Sequence, residues 1–262
     1  MDIIKVSRSL LNVAYTCANV PLAFRSCVLQ RRYSEQIRKN RSFKGSYIGK
    51  RCYVIGNGPS LNNVDLKKLV GKDLITVNKF FQHPYYENLR PIFHCAIDPG
   101  MYKGDTGSNF LEIIKQEQQT SFLISSNAPN DFKACSNTYI TILGYLPSSI
   151  CHPYDLARPS AGFINVVLVA IELAIYLGFA EIVLLGCDFN QFAVRKEIHS
   201  YIEDNSSERA ATMFQDLQGH AIAVMQHEWL FSYAQKKKVE IVNASEGSFL
   251  DVYPRVKTDT II

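Results

Sequence analysis

Cys52-Tyr53-Val54-Ile55-Gly56-Asn57-Gly58-Pro59-Ser60-Leu61 is the stretch that decides the fold. A short apolar run enters two glycines set one residue apart, and a proline and a serine follow. The run reads as a buried strand. Gly56 and Gly58 let the backbone turn tightly and approach a ligand with no Cβ in the way. Pro59 and Ser60 suit the opening of a helix, predicted over Ser60–Leu69. A helix that starts just beyond a strand aims its free N–H groups at whatever sits in the turn, which favours a phosphate. The turn is not a G-x-G-x-x-G and lacks the Gly-Lys-Ser/Thr of a P-loop, so a purely structural turn is the competing reading.

Outward from this point, apolar runs and helical patterns alternate. Further strands are predicted at Leu74–Val77, Ile92–Ile97, Ser121–Ser125, Tyr139–Leu143, Glu181–Leu185 and Val239–Val242. Helices are predicted at Asn109–Gln118, at Ala161–Gly178 and over Ser207–Lys236, the last with a break near Gly219. The apolar Ala161–Gly178 segment contains Asn165 and Glu172 and runs directly into a strand, so it reads as a buried crossover helix rather than a membrane span. Interleaved strands and helices imply right-handed βαβ units. The expected fold is α/β: a Rossmann-like open, mostly parallel sheet with helices on both faces, preceded by a helical basic leader.

Charge divides the chain. The first 51 residues carry eleven Lys and Arg against Asp2 and Glu35, a net +9. The whole chain is +4, so the remainder stands at −5. An acidic body argues against nucleic acid as a partner, and the basic leader suggests an anionic membrane surface. Residues 1–50 are therefore read as a leader and 51–262 as the nucleotide-binding catalytic domain. Between Arg8 and Arg25 the leader has no charge, yet Asn12, Thr16, Asn19 and Pro21 interrupt its apolar residues. That pattern fits an interfacial or docking helix better than a spanning one. Residues 31–50 read as an exposed basic linker. Seven cysteines, none in a CxxC pair, give no zinc ribbon and no disulfide framework, which suits a cytoplasmic, reducing setting.

Other strand ends supply polar candidates. Asn78 follows one strand and Asp98-Pro99 another, where each can meet a ribose or base or simply cap a loop. Ser160, with Ala161 and Gly162, is a candidate N-cap that gives a second helix N-terminus for an anion. Asp188, in Gly186-Cys187-Asp188-Phe189, closes a strand and serves either a site or its own loop. Of six histidines, His199 and His220 lie where the chain would cover the crevice. No HExxH pattern or carboxylate pair points to a bound metal.

Val54 to Leu61, then Asn78, Ser160-Ala161-Gly162 and Leu184 to Phe189 together resemble two related groups. One is the bacterial lipooligosaccharide sialyltransferases of glycosyltransferase family 42. The other comprises 6-hydroxymethylpterin diphosphokinase-like proteins, among them modifiers of flagellin and surface glycans. The resemblance runs from about Arg51 to Val256, and Val239 to Ser248 fits the second group best. It implies that Asn57, Gly58, Ser60 and Asn78 hold a CMP donor, with Gly56 and Pro59 shaping the turn. It also implies nucleotide contacts from Ser160-Ala161-Gly162 and from Asp98, where the sialyltransferases carry Asn. Their paired tyrosines have no clear counterpart here; Asn190 follows Phe189, and Tyr201 is a displaced candidate. The implied catalytic base is His220, which follows Gly219, with His199 in His199-Ser200-Tyr201 as its rival.

The function expected is a glycosyltransferase in surface-glycan (lipopolysaccharide-type) biosynthesis. It would use a nucleotide-activated, CMP-linked sugar as co-substrate and no tightly bound cofactor, with a glycan or glycolipid acceptor. The setting expected is the cytoplasmic face of the inner membrane, with a homo-oligomer as one assembly. Two alternatives stand beside it. One is pyrophosphoryl transfer from ATP, with Mg²⁺ held by Asp98 and Asp188. The other is a non-catalytic scaffold for glycan assembly.

Overall fold

A computed structural model describes residues 2–146, 155–191, 193 and 212–262. The chain opens with a long helix, α1 (Ile3–Arg32), and a short one, α2 (Ser34–Lys39). Strand β1 (Arg51–Ile55) enters the glycine turn, followed by β2 (Leu74–Val77), the single turn α3 (Tyr86–Leu89) and β3 (Phe93–Ala96). Then come α4 (Gly104–Gln116), β4 (Ser121–Ser125), the turn α5 (Asn130–Lys133), β5 (Thr138–Thr141) and the small strands β6 (Leu143–Tyr145) and β7 (Ser160–Ala161). The apolar helix α6 (Val166–Leu177), β8 (Glu181–Leu185), α7 (Met213–Lys236) and β9 (Glu240–Asn243) complete the order.

Seven strands form one sheet in the order β5-β4-β3-β2-β1-β8-β9, and every pairing is parallel. The expected α/β architecture is the one observed. Adjacent β1 residues point to opposite faces. Cys52 and Val54 pack with α6, Ile75, Ile182 and Leu184, while Tyr53 and Ile55 pack with Leu61, Phe110, Val183 and Leu185. Burial on both faces is why the strands read as continuous apolar runs rather than as an alternation.

Four local expectations are corrected. After the turn no α-helix forms: two short 3₁₀ segments, Pro59–Asn63 and Leu66–Leu69, are separated by extended Val64. The Ser60 N–H is captured by the Asp188 carboxylate, and Asp65 starts a second cap on the Lys67 N–H, so the chain restarts rather than propagates. Residues 31–50 are not an exposed linker. Ile37, Asn40 and Phe43 are buried, and the Asn40 amide donates to the carbonyls of Ile140 (2.9 Å) and Leu156 (2.7 Å). The basic side chains around them stay outside while their neighbours point in. The apolar helix begins at Val166, capped by Asn165 rather than Ser160; the Asn165 side chain accepts from the Val167 N–H at 2.8 Å. Finally, α7 runs unbroken through Gly219.

No described helix is long and apolar enough to cross a membrane.

Candidate functional site

The sheet order places the site. The chain winds outward from β1 to β5, then returns to the other side of β1 through β8 and β9. The switch point is therefore the β1/β8 seam, and a crevice opens beyond the carboxyl ends of those strands. It holds a cavity of about 110 Å³ whose wall includes Gly56, Asn57, Gly58, Asn78, Asp188 and His227. The N-terminus of α6 (Asn165 to Val167) closes one side, and Asn190 lies at the rim. A second space of about 490 Å³ continues outward past Asn165 and Phe189 to Gly219 and His220 on α7. The inner space alone is smaller than a usual ligand pocket, and the two together reach that size.

The floor is a clasp between two strand-end loops. The Gly56 N–H donates to Leu185 O at 2.8 Å and the Gly58 N–H to Gly186 O at 2.7 Å. A Cβ on Gly56 would lie 2.9 Å from the Gly186 carbonyl carbon, and one on Gly58 would lie 2.6 Å from an Asp188 oxygen. Close approach, not unusual backbone angles, is what requires glycine here. Asp188 accepts from the Ser60 N–H (2.8 Å) and from the Ser60 hydroxyl. Partial burial pushes its carboxyl pKa up, and the two Ser60 bonds pull it back. The Ser60 amide, expected to face a phosphate, is thus occupied by an internal carboxylate. The helix end that faces the cavity is that of α6, whose N-terminal dipole suits an anion.

The tail holds the other side of the clasp. The Cys187 N–H donates to Ser245 Oγ at 2.8 Å, Ser248 Oγ donates to Cys187 O at 2.7 Å, and the Phe249 N–H donates to Asp188 O at 2.8 Å. Burial pushes the Cys187 thiol pKa up to about 12, so it acts as a small hydrophobe and not as a nucleophile.

Three buried polar atoms on the cavity wall have no hydrogen-bond partner: Asn57 Oδ1, Asn78 Oδ1 and His227 Nε2. Asn57 spends its amide nitrogen on Val77 O at 3.1 Å, which fixes its oxygen as the spare group. Asn78 sits at φ +45°, a left-handed conformation that costs energy for a residue other than glycine. His227 shares its Nδ1 with the Tyr253 hydroxyl at 2.9 Å, and burial holds its pKa down to about 3, so the ring is neutral. Unsatisfied groups of this kind cost about 1–3 kcal/mol each, so a ligand that pairs them recovers binding energy.

His220 lies on the wall of the outer space. Its Nδ1 is 2.8 Å from Asp216 O, and a carbonyl only accepts, so Nδ1 carries the hydrogen. In the neutral ring Nε2 is then the basic nitrogen. Phe189, at φ +55°, places its ring edge-on to His220 (5.0 Å) and His227 (5.7 Å), between the two spaces.

The sequence candidates thus divide. Gly56, Asn57, Gly58, Asn78 and Asp188 line the inner cavity and His220 the outer one. Pro59 and Ser60 support the turn from behind, without lining either space. Asp98 caps its own loop, accepting from the Gly100 N–H at 2.8 Å. Ser160 is buried in β7 and bonds Glu172 of α6, and Gly162 donates to Tyr145 O at 2.5 Å; neither lines the cavities, and the Ala161 side chain lies outside what the structure describes. His199 and Tyr201 lie outside the described residues. Asn165, His227 and Tyr253 were not anticipated. A histidine inside a helix carries no local signal, whereas Asn165 before an apolar helix is a cap signal that Ser160 obscured.

Asp98 and Asp188 close β3 and β8, three strand spacings apart, or about 14 Å. They cannot hold one Mg²⁺ between them. Among the described residues no group of three or more His, Cys, Asp or Glu is placed to hold a metal.

The class is thus a doubly wound parallel-sheet protein with a polar cavity at its switch point. The family model described as "6-hydroxymethylpterin diphosphokinase MptE-like" matches residues 29–192, more than half of the chain, and the chain belongs to that family. A search of curated proteins finds no match. Among solved structures, the chain is similar to the MAf glycosyltransferase from Magnetospirillum magneticum AMB-1. The TM-score is 0.52 at 12% identity, over 88% of this chain and 39% of that one. The likeness is one of fold, and the chain spans about two fifths of that protein's length.

Proposed function

We propose that the chain transfers a sugar from a nucleotide-activated donor, with a CMP-linked sugar as the leading candidate. The observation that carries this reading is the trio of unpaired neutral atoms around the inner cavity, Asn57 Oδ1, Asn78 Oδ1 and His227 Nε2. Two amide oxygens ask for donors such as ribose hydroxyls or an exocyclic amine, and none of the three carries a charge that would repel a nucleoside. The donor phosphate would lie toward the α6 N-terminus, and the sugar would extend past Phe189 into the outer space. There His220 Nε2 takes the proton of the acceptor hydroxyl as that oxygen attacks the anomeric carbon and the nucleotide leaves. The dipole of α6 stabilises the departing phosphate. The acceptor class that suits this reading is a surface glycan or glycolipid at the cytoplasmic face of a membrane, with residues 51–262 as the catalytic unit.

The family description favours a second reading, pyrophosphoryl transfer from ATP to a small alcohol. The carboxylates the sequence offered for Mg²⁺, Asp98 and Asp188, do not fit that role in this fold.

Thermal melts with CMP, CDP, UDP, GDP and ATP, each with and without Mg²⁺, decide between the two. A ligand at about a hundred times its Kd stabilises by about 2.7 kcal/mol, which raises Tm by roughly 5–10 °C. CMP without metal is expected to produce that rise. His220→Ala should keep it while slowing CMP release from a CMP-linked sugar by about 10²–10⁴-fold. A rise with ATP and Mg²⁺ alone would put the diphosphokinase reading first.

A further inference from the structure

We infer that α1 is the interface through which two copies of this chain pair. Helix α1 is fastened to the body along one side. Asn19 donates to Leu146 O at 2.7 Å and accepts from the Leu146 N–H at 2.7 Å, and Ser26 Oγ donates to Gly144 O at 3.1 Å. Arg8 is paired with Glu228 of α7. The opposite side is bare and apolar: Leu10 is 65% exposed, Val20 74% and Phe24 77%.

The spacing on that bare side names the occupant. Val6, Leu10, Val13, Cys17, Val20 and Phe24 follow one another at intervals of four and three, and Ile3 and Cys27 extend the run by one step at each end. This is a 3.5-residue repeat over four heptads, the pattern that seats one helix against another along a supercoiled seam. A helix that only rests on lipid has no reason to keep a strict a/d seam, and it carries Lys and Arg along its polar side. Here no charge occurs between Arg8 and Arg25, and the positions beside the seam hold Ser7, Ser9, Ala14, Thr16 and Ala23. Small neutral flanks let two backbones approach, and two identical seams meet without opposing like charges. Pro21 falls beside the seam and not in it. Residues 3–28 lie outside the part of the chain that the family model matches.

The size approaches the lower limit of a stable dimer interface. From Ile3 to Cys27 the seam runs about 36 Å on a helix about 10 Å across, a flat footprint of about 360 Å² per copy. Interlocking side chains raise that toward the about 600 Å² a side of the smaller stable interfaces. At Ile3 the seam also adjoins an apolar groove of about 610 Å³ between α1 and α7, lined by Ile4, Leu11, Ile222 and Met225. A self-complementary patch of this kind closes as a two-fold dimer.

Sedimentation analysis of the full chain, beside the double variant Leu10→Glu/Val13→Glu, tests the inference. Both residues are exposed in the single copy, so the variant is expected to keep the wild-type circular dichroism spectrum. The wild type should sediment as a dimer and the variant as a monomer. A monomeric wild type, or a dimer unchanged in the variant, overturns the inference. So does a monomeric wild type that floats with phosphatidylglycerol vesicles while the variant does not, which would make lipid the occupant.

Discussion

Replacing Gly56 by alanine is expected to destabilise the folded chain by about 3 kcal/mol, the upper end of the range for forcing one carbon into a packed interior. The obstacle is backbone. The new Cβ would face the Gly186 carbonyl group, which is itself fixed between the β8 ladder and the Gly58 N–H. No side chain can swing aside, so the ends of β1 and β8 must part. In a thermal melt this corresponds to a fall in Tm of roughly 6–12 °C, with loss of the CMP-induced rise. Gly58→Ala should behave differently. Its Cβ meets the Asp188 carboxylate, a side chain that can rotate away at the expense of its two bonds to Ser60. A Gly56→Ala protein that melts within about 2 °C of the wild type would show that the clasp between the two loops is loose.

The second large effect belongs to Glu172, buried on α6. One oxygen accepts from the Ser160 hydroxyl, and the other has no partner. Burial pushes its carboxyl pKa from 4.5 to about 8, with Ser160 pulling modestly the other way. Between those values the folded chain holds a proton that the unfolded chain has released. The unfolded state binds fewer protons, so stability falls as pH rises through this window, by at most about 1.4 kcal/mol per unit. The loss by pH 8 is on the order of a few kcal/mol. His94 and His227 act with the opposite sign. Burial holds both at about 3, so their contribution grows as pH rises from there to 6.5. The wild type alone therefore mixes the two slopes, and the comparison with Glu172→Gln separates them. The glutamine can still accept from Ser160 but has no proton to lose. Urea unfolding at pH 5.5 and 8.5 should show the wild type losing stability relative to Glu172→Gln. Parallel pH profiles for the two proteins would mean that Glu172 is already ionised at pH 5.5.

Much of the fold is legible in the sequence because its strands are buried on both faces. Leu74–Val77 and Glu181–Leu185 appear with their boundaries intact, since a continuous apolar run flanked by turns has few other interpretations. The segments that mislead are those where a distant residue overrides a local signal. Pro59-Ser60 is a sound helix opening until Asp188, 128 positions away, takes the Ser60 amide. Ser160 is a sound cap until Glu172 takes its hydroxyl. Residues 31–50 look solvated because their charges dominate the composition, while Ile37 and Phe43 are the side chains that pack. The site divides in the same way. Glycines and strand-end polar residues are readable as a motif, but His227 reaches the cavity only through the packing of α7 beside the tail. The seam on α1 escapes a reading based on polarity, because Asn12 and Asn19 lie off the bare side while Thr16 and Pro21 flank the seam without entering it.

The bonds from Ser245, Ser248 and Phe249 to the Cys187-Asp188 loop carry a consequence for how the protein is made. Synthesis delivers β1 and its glycine turn early, and the loop that clasps the turn more than a hundred residues later. The groups that hold that loop in place come some sixty residues after it. A nascent chain can pair β1 through β5 as they emerge, yet it has no finished crevice until Phe249 has left the ribosome. Until β8 follows, the half-built sheet ends in an open β1 edge, the surface a chaperone would have to guard.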